Sequence, residues 1–222
     1  MKRIVILGEG QTEQAFCREV LQPYFSNKGI SLETPTIKKT RGGLVPWADL
    51  QKEIITLLRS PTCIVTTLLD YYGIKDYHEF PEWDQAKKIP NKNQRMESLE
   101  KGMGESLPEG VRHRFVPYLQ LHEFEALLFC DQRVFDENFE ESDYQNRQLL
   151  IDTFREFENP EDINDSPHSA PSKRLQAIFR QYDKVVLGSL IAQEIGLRTV
   201  TERCPRFKEW LYQLETATNT LS

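Results

Sequence analysis

Two uninterrupted apolar runs constrain the fold of this chain more than any other feature of its sequence. They are Ile4-Val5-Ile6-Leu7 and Cys63-Ile64-Val65-Thr66-Thr67-Leu68-Leu69. A strand with one wet face alternates polar and apolar residues. A strand that does not alternate is covered on both faces, as in the parallel sheets of α/β proteins. Both runs end alike. Gly8-Glu9-Gly10 follows the first and Asp70-Tyr71-Tyr72-Gly73 the second, so an acid stands at the C-terminal end of each strand. Open parallel sheets place their ligands at that end.

The remaining elements follow from periodicity. Phe16, Val20 and Tyr24 form one apolar row, and Cys17, Leu21 and Phe25 the next, predicting a helix over 12–27 that Gly29 stops and Pro23 can kink. A second strand is expected over 30–38, broken by Pro35, and a helix over 47–58 with Leu50, Ile54, Leu57 and Leu58 on one face. Residues 73–93 form a long polar excursion, 94–106 a short helix and 115–121 a further strand. His122-Glu123-Phe124-Glu125-Ala126-Leu127-Leu128-Phe129 comes next, its apolar tail suiting a buried helix. An acidic, peripheral helical stretch spans 131–166. Helices are expected over 174–182, over 185–195 with Gly196 ending it, and over 207–214. The β-α-β-α-β-α-β-α alternation predicts an α/β fold, a mostly parallel sheet of about four strands flanked by helices with a helical C-terminal part. The expected division is 1–130 for the sheet-bearing domain and 131–222 for a helical region packed on it.

A length of 222 residues suits one sizeable α/β domain, or one domain with an appendage. No run approaches the roughly 18 apolar residues that suggest a membrane span. The apolar stretch after Met1-Lys2-Arg3 is too short for a signal-peptide core, so no membrane partner is expected. Cys17, Cys63, Cys130 and Cys204 are scattered, which fits reduced thiols in the cytoplasm better than zinc or disulfides. His78, His113, His122 and His168 show no ligand spacing either. The net charge of −6 argues against affinity from a basic surface. It leaves a nuclease open, because carboxylates gathered around Mg²⁺ make the metal-free chain acidic and the ion reverses the local field.

If the strands are adjacent, Glu9, Asp70 and the pair Glu123/Glu125 meet at one sheet edge. Carboxylates so gathered repel and rise in pKa unless a cation neutralises them. Mg²⁺ or Mn²⁺ suits an all-oxygen site with open water positions, where it can activate water for in-line phosphoryl displacement. Glu13 is either an acid favoured by the helix dipole or a ligand to a second metal. Glu123 and Glu125 share a face on a strand but sit roughly 200° apart on a helix, so one is expected to face the site. Glu123 is preferred because it lies nearer the strand end. His122 reads as structural rather than as a base. Lys39 and Arg41 belong either to a solvated turn or to a phosphate-backbone contact, and Lys173 and Arg174 either to a solvated helix start or to a phosphate contact. A dinucleotide site is excluded, since Glu13 stands where the third glycine belongs and would repel a pyrophosphate. Neither a Walker motif, without which the chain is not expected to hydrolyse ATP itself, nor a Gly-x-Ser-x-Gly elbow is present.

Glu9-Gly10 after the first strand, with an acid after a later one, resembles the Toprim domain of topoisomerases, primases and OLD-family nucleases. Gly8-Glu9-Gly10-Gln11-Thr12-Glu13, Asp70-Tyr71-Tyr72-Gly73, His122-Glu123-Phe124-Glu125-Ala126 and Ala170-Pro171-Ser172-Lys173-Arg174-Leu175 resemble, in order, a Toprim-like family called domain of unknown function 4276. The likeness extends to Cys204-Pro205-Arg206-Phe207. It implies a Toprim (Rossmann-like) fold, a Mg²⁺ site and cleavage of a nucleic acid. It implies Glu9 as general acid/base or ligand, Asp70 as the first acid of Asp-x-Asp, and Glu13 as the extra acid that helps hold a second metal. It also implies an ABC/SMC-type AAA ATPase as partner in a bacterial anti-phage defence system. Homo- or hetero-oligomers are compatible with all of this. Tyr72 departs from the pattern by standing where the second acid belongs, and a phenol is a poor Mg²⁺ ligand at neutral pH. Either Glu123 or Glu125 supplies the missing carboxylate, or the chain is a catalytically quiet interaction subunit.

Overall fold

The computed structural model describes residues 2–35, 37, 43–164 and 169–221. Its strands are β1 (Arg3–Gly8), β2 (Ser31–Glu33), β3 (Cys63–Asp70), β4 (Phe115–Val116) and β5 (Leu119–Gln120). They form one sheet in the order β2-β1-β3-β4, with β5 also beside β3, and every pairing is parallel. β1 runs beside β3 from Arg3 opposite Cys63 to Gly8 opposite Leu68. The chain therefore turns to one side of β1 to lay down β2, then to the other for every later strand. That reversal makes the gap between the C-terminal ends of β1 and β3 a topological switch point, the place where open α/β sheets bind ligands.

Both long strands are covered on two faces, as their composition requires. Ile4, Ile6, Ile64 and Leu68 look into one core, and Val5, Leu7, Cys63, Val65 and Leu69 into the other. The second core is closed by α2 (Trp47–Leu57) and α3 (Lys92–Glu105). The first is closed by the helix that starts at Gln11, the turn of helix Phe124–Phe129, α7 (Lys184–Arg203) and α8 (Pro205–Thr220). α1 comprises Gln11–Phe16, a widened π segment Cys17–Leu21 and Gln22–Ser26. Pro23 has no amide to return to the preceding turn, and the helix absorbs it by widening just before it rather than by ending. Between β5 and α7 lie α4 (Gln132–Asn138), α5 (Arg147–Glu156) and α6 (Pro171–Ile178). A single hydrophobic cluster includes Ile4 of β1, Phe207 and Trp210 of α8, and Leu221. Among the described residues no helix is long and apolar enough to cross a membrane.

Three expectations change. The strand expected over 30–38 pairs only through Ser31–Glu33. The strand expected over 115–121 is split by Pro117, which cannot donate to a ladder. Thr67 fills the gap: the Tyr118 amide donates to Thr67 Oγ1 (2.9 Å), whose hydroxyl donates to the Tyr118 carbonyl (2.9 Å). Thr66 does related work on the other face, donating to the Val116 carbonyl at 2.5 Å and accepting from Trp210 Nε1 at 2.8 Å. Gly196, expected to end a helix, instead breaks α7 with φ 71° and ψ 158°, and the helix resumes beyond it.

Candidate functional site

The switch point is furnished by the turn that leaves β1. Gly8 closes the strand, Glu9 sits in the turn, and Glu13 lies in the first turn of α1, only 4% exposed. The two glycines beside Glu9 make room for Glu13. A Cβ on Gly8 would stand 3.1 Å from Glu13 Cβ, and one on Gly10 would stand 3.3 Å from Glu13 Oε2. Glu9 itself rests on a glycine from the second motif. A Cβ on Gly73 would lie 2.9 Å and 3.0 Å from its two carboxylate oxygens, inside contact distance. The two acidic motifs are thus fitted to each other, Glu9 and Glu13 each lying where a glycine has no side chain.

Main-chain amides place the acids. The Asp70 amide donates to Glu9 Oε1 at 2.7 Å, and the Phe124 amide donates to Asp70 Oδ1 at 2.8 Å. The Ser172 amide, at the start of α6, donates to Glu123 Oε2 at 2.9 Å. The ends of β1 and β3, the 124–129 turn and α6 are therefore joined in sequence through carboxylate–amide contacts.

Electrostatics group Glu9, Glu13, Asp70 and Glu125. Burial pushes Glu9 up to about 7; the Asp70 amide and Lys184 oppose this, and Glu13 and Glu125 reinforce it. Burial, then Glu9, Glu13 and Glu125, holds Asp70 well above the ordinary carboxylate range. Glu125, with no exposed surface, is raised by burial against the pull of Lys184. Lys184 Nζ lies 2.8 Å from Glu125 Oε1. Burial lowers the Lys184 pKa, but Glu125, Glu13 and Asp70 carry it above its ordinary value. The described cation that acts on Glu9, Asp70 and Glu125 alike is this half-exposed lysine.

The four carboxylates and Glu123 do not share one position. Glu123, preferred from the sequence, is turned to the start of α6, while Glu125 stands in the field of Glu9 and Asp70. Residue Glu123 is still extended (φ −142°, ψ 152°) when the 3₁₀ turn begins at Phe124, so neither the strand nor the α-helix spacing governs the pair. His122 is buried and left-handed, with φ 70°. Burial, with Lys92 and Arg95 nearby, lowers its pKa to about 3, so it is a neutral imidazole. Its carbonyl accepts from the Tyr72 amide at 3.2 Å, and its ring lies 5.1 Å from that of Tyr72.

The basic residues singled out in the sequence divide. Lys39 and Arg41 lie outside the described residues. Lys173 is exposed and bonds Gln176. Arg174, read as a phosphate contact or a solvated helix start, is not a solvated start: it is buried, donates to the Ser169 carbonyl and Thr153 Oγ1 (both 3.1 Å), and stacks 5.0 Å over Phe157. Its charge is used inside the fold. Lys184 was missed. Its signal was a lysine in the first turn of a helix, where the dipole disfavours a cation.

Among the described residues no three His, Cys, Asp or Glu side chains converge tightly enough to cage a metal ion. Mg²⁺ does not require that, since it keeps several waters and is held by one or two carboxylates. Hard oxygen donors and excess negative charge over one lysine fit such an ion at this edge. Searches of curated proteins and of solved structures return no match. Residues 8–215, from the glycine preceding Glu9 into the last turns of α8, match the family model described as domain of unknown function (DUF4276), and the chain belongs to that family.

Proposed function

We propose that this protein is a Mg²⁺- or Mn²⁺-dependent nuclease of Toprim type, cleaving phosphodiester bonds at the β1/β3 switch point. One observation carries the reading: Glu9, Glu13, Asp70 and Glu125 act on one another at that edge, and the described cation common to them is Lys184. Glu9 and Asp70 would hold the metal, Glu13 and Glu125 would add negative charge around it, and Glu123 would orient the start of α6. A divalent ion so held lowers the pKa of bound water and offsets charge on a phosphoryl group in flight. The chain's own contribution is placement. The Asp70 and Phe124 amides fix two carboxylates without relying on side-chain rotamers, and Gly73 keeps the Glu9 carboxylate close against the second motif. Lys184 limits repulsion in the metal-free state.

The motif likeness supports a nucleic acid substrate and an ABC/SMC-type AAA ATPase partner within an anti-phage defence system, and the scattered cysteines support a cytoplasmic setting. The test is cleavage of plasmid and RNA with Mg²⁺ or Mn²⁺, with and without the ATPase, by wild type, Glu9→Ala and Asp70→Ala. The expected loss is about 100-fold or more for either variant. Metal-dependent cleavage that survives both substitutions overturns the assignment.

Two observations favour a second reading, a catalytically quiet interaction subunit of an ATPase complex. Tyr72 occupies the place of the second Toprim acid, and Lys184 already sits against Glu125. Absence of any Mg²⁺-dependent change in melting temperature would decide for it.

A further inference from the structure

Beside the acid cluster lies a group of the opposite character. We infer that His122, Asn164, Lys92 and Arg95 form a binding site for a phosphate group. The inference rests on the nuclease reading only in taking that phosphate to belong to the substrate of the neighbouring acids.

Two buried side chains here lack partners. Both ring nitrogens of His122 (3% exposed) and both amide atoms of Asn164 (1% exposed) have no hydrogen-bond partner among the described residues. Leaving such groups unpaired costs free energy, and a folded chain tolerates it best where a ligand completes the bonding. An imidazole and a carboxamide both offer N–H donors, the groups that phosphate oxygens accept from.

Two cations stand with them, and their hydrogen bonds go to neutral acceptors. Lys92 Nζ donates to the Asn164 carbonyl at 3.0 Å. Arg95 donates to the Ile89 carbonyl through Nε (3.0 Å) and Nη2 (2.8 Å), and to Tyr71 Oη at 3.2 Å. Neither forms an ion pair among the described residues, whereas Arg206 and Lys184 each hold a carboxylate. Lys92 and Arg95 stand three residues apart on α3, so they share a face; Arg95 bonds Tyr71, whose ring lies 6.0 Å from that of Tyr72, and the Tyr72 ring lies 5.1 Å from that of His122.

The backbone at His122 is left-handed, a conformation that costs free energy for a residue with a side chain and that gathers at ligand sites. The next residues are Glu123 and Phe124, whose amide holds Asp70. One loop thus carries a cation-rich, donor-rich group at position 122 and an acid-positioning amide at position 124. A phosphate bound at His122 would stand next to the edge where the acids act.

The phosphate could come from a nucleic acid backbone or from a small phosphate compound, and the test separates them. Binding is measured in EDTA, which removes any dependence on metal or cleavage. The probes are a fluorescent single-stranded DNA or RNA oligonucleotide, followed by anisotropy, and inorganic phosphate, followed by the ¹H–¹⁵N resonances of the His122 ring. Inorganic phosphate is expected to shift the His122 ring and to compete with the oligonucleotide. The double variant Lys92→Gln/Arg95→Gln, which leaves the buried His122 and Asn164 in place, is expected to weaken the oligonucleotide about tenfold or more and to flatten its salt dependence. Glu9→Gln should bind the oligonucleotide in EDTA at least as tightly as wild type. A His122 ring unmoved by both probes overturns the site. A ring that moves with inorganic phosphate in a protein that neither binds nor cuts oligonucleotides upholds the site, assigns it to a small phosphate compound, and removes the nuclease reading instead.

Discussion

Carboxylates are taken out of water in two regions of this molecule, and the two are resolved differently. At the start of α8, Glu100 Oε1 lies 2.6 Å from Arg206 Nη2 and accepts the Leu119 amide at 2.9 Å. Glu161 accepts the amides of Arg206 (2.9 Å) and Phe207 (3.1 Å), at a helix N-terminus that favours an anion. At the β1/β3 edge, Glu9, Glu13, Asp70 and Glu125 have Lys184 in common. Desolvation does not separate the two regions, because burial carries Glu9 and Glu100 alike to about 7. The charged neighbours do. Arg206 lowers Glu100, whereas Glu13 and Glu125 push Glu9 further up. A charge with its own counter-charge is part of the fold, and a surplus of one sign marks a site.

The contrast can be broken most forcefully at Arg206. Arg206→Gln leaves Glu100 without its cation and is expected to cost about 3–5 kcal/mol in urea unfolding, while Glu9→Gln without metal should leave stability unchanged or raised. Equal losses from the two would erase the distinction. Mg²⁺ sharpens it from the other side: at a hundred times its Kd the ion should add about 2.7 kcal/mol to wild type, read as a rise in melting temperature that Glu9→Gln and Asp70→Asn abolish and Arg206→Gln retains. Gly73→Ala places a methyl against Glu9 and should cost about 1–3 kcal/mol. Because the strain is local to one contact, the cost should shrink when Glu9→Ala is added, as a double-mutant cycle would show.

The pH dependence tests the same comparison. A carboxylate raised from 4.5 to about 7 in the folded state binds its proton more tightly there than in the unfolded chain. Its contribution to stability is complete below about pH 4.5 and is lost as pH rises through about 7. Glu9 and Glu100 should both contribute to that decline. Saturating Mg²⁺ should remove the share of Glu9, and a melting profile from pH 4.5 to 8 that Mg²⁺ leaves unaltered would count against an ion at the switch point.

Much of this was legible before the fold was known. The continuous runs 4–7 and 63–69 announced parallel strands, and an acid after each announced the edge. Pro117 was legible too, but its consequence depended on Thr67 being across the gap to receive the Tyr118 amide. Choosing between Glu123 and Glu125 required knowing that a 3₁₀ turn starts between them, a geometry with neither period. Arg174 could not be read from its neighbours, because Phe157 and Thr153, which occupy it, lie on or beside another helix. The unpaired His122 and Asn164 are invisible in sequence, where absence of a partner has no signature.

The amide contacts that hold the acids also set which positions can drift. A main-chain N–H survives almost any substitution, so residue 172 can exchange its side chain without surrendering Glu123, proline being the exception, whereas Phe124 is held to its identity by packing on Phe16 and not by the Asp70 contact. Position 73 has no such latitude, since any side chain there meets the Glu9 carboxylate. Among relatives, the glycine should prove as invariant as the acids, and the residue at position 172 should not.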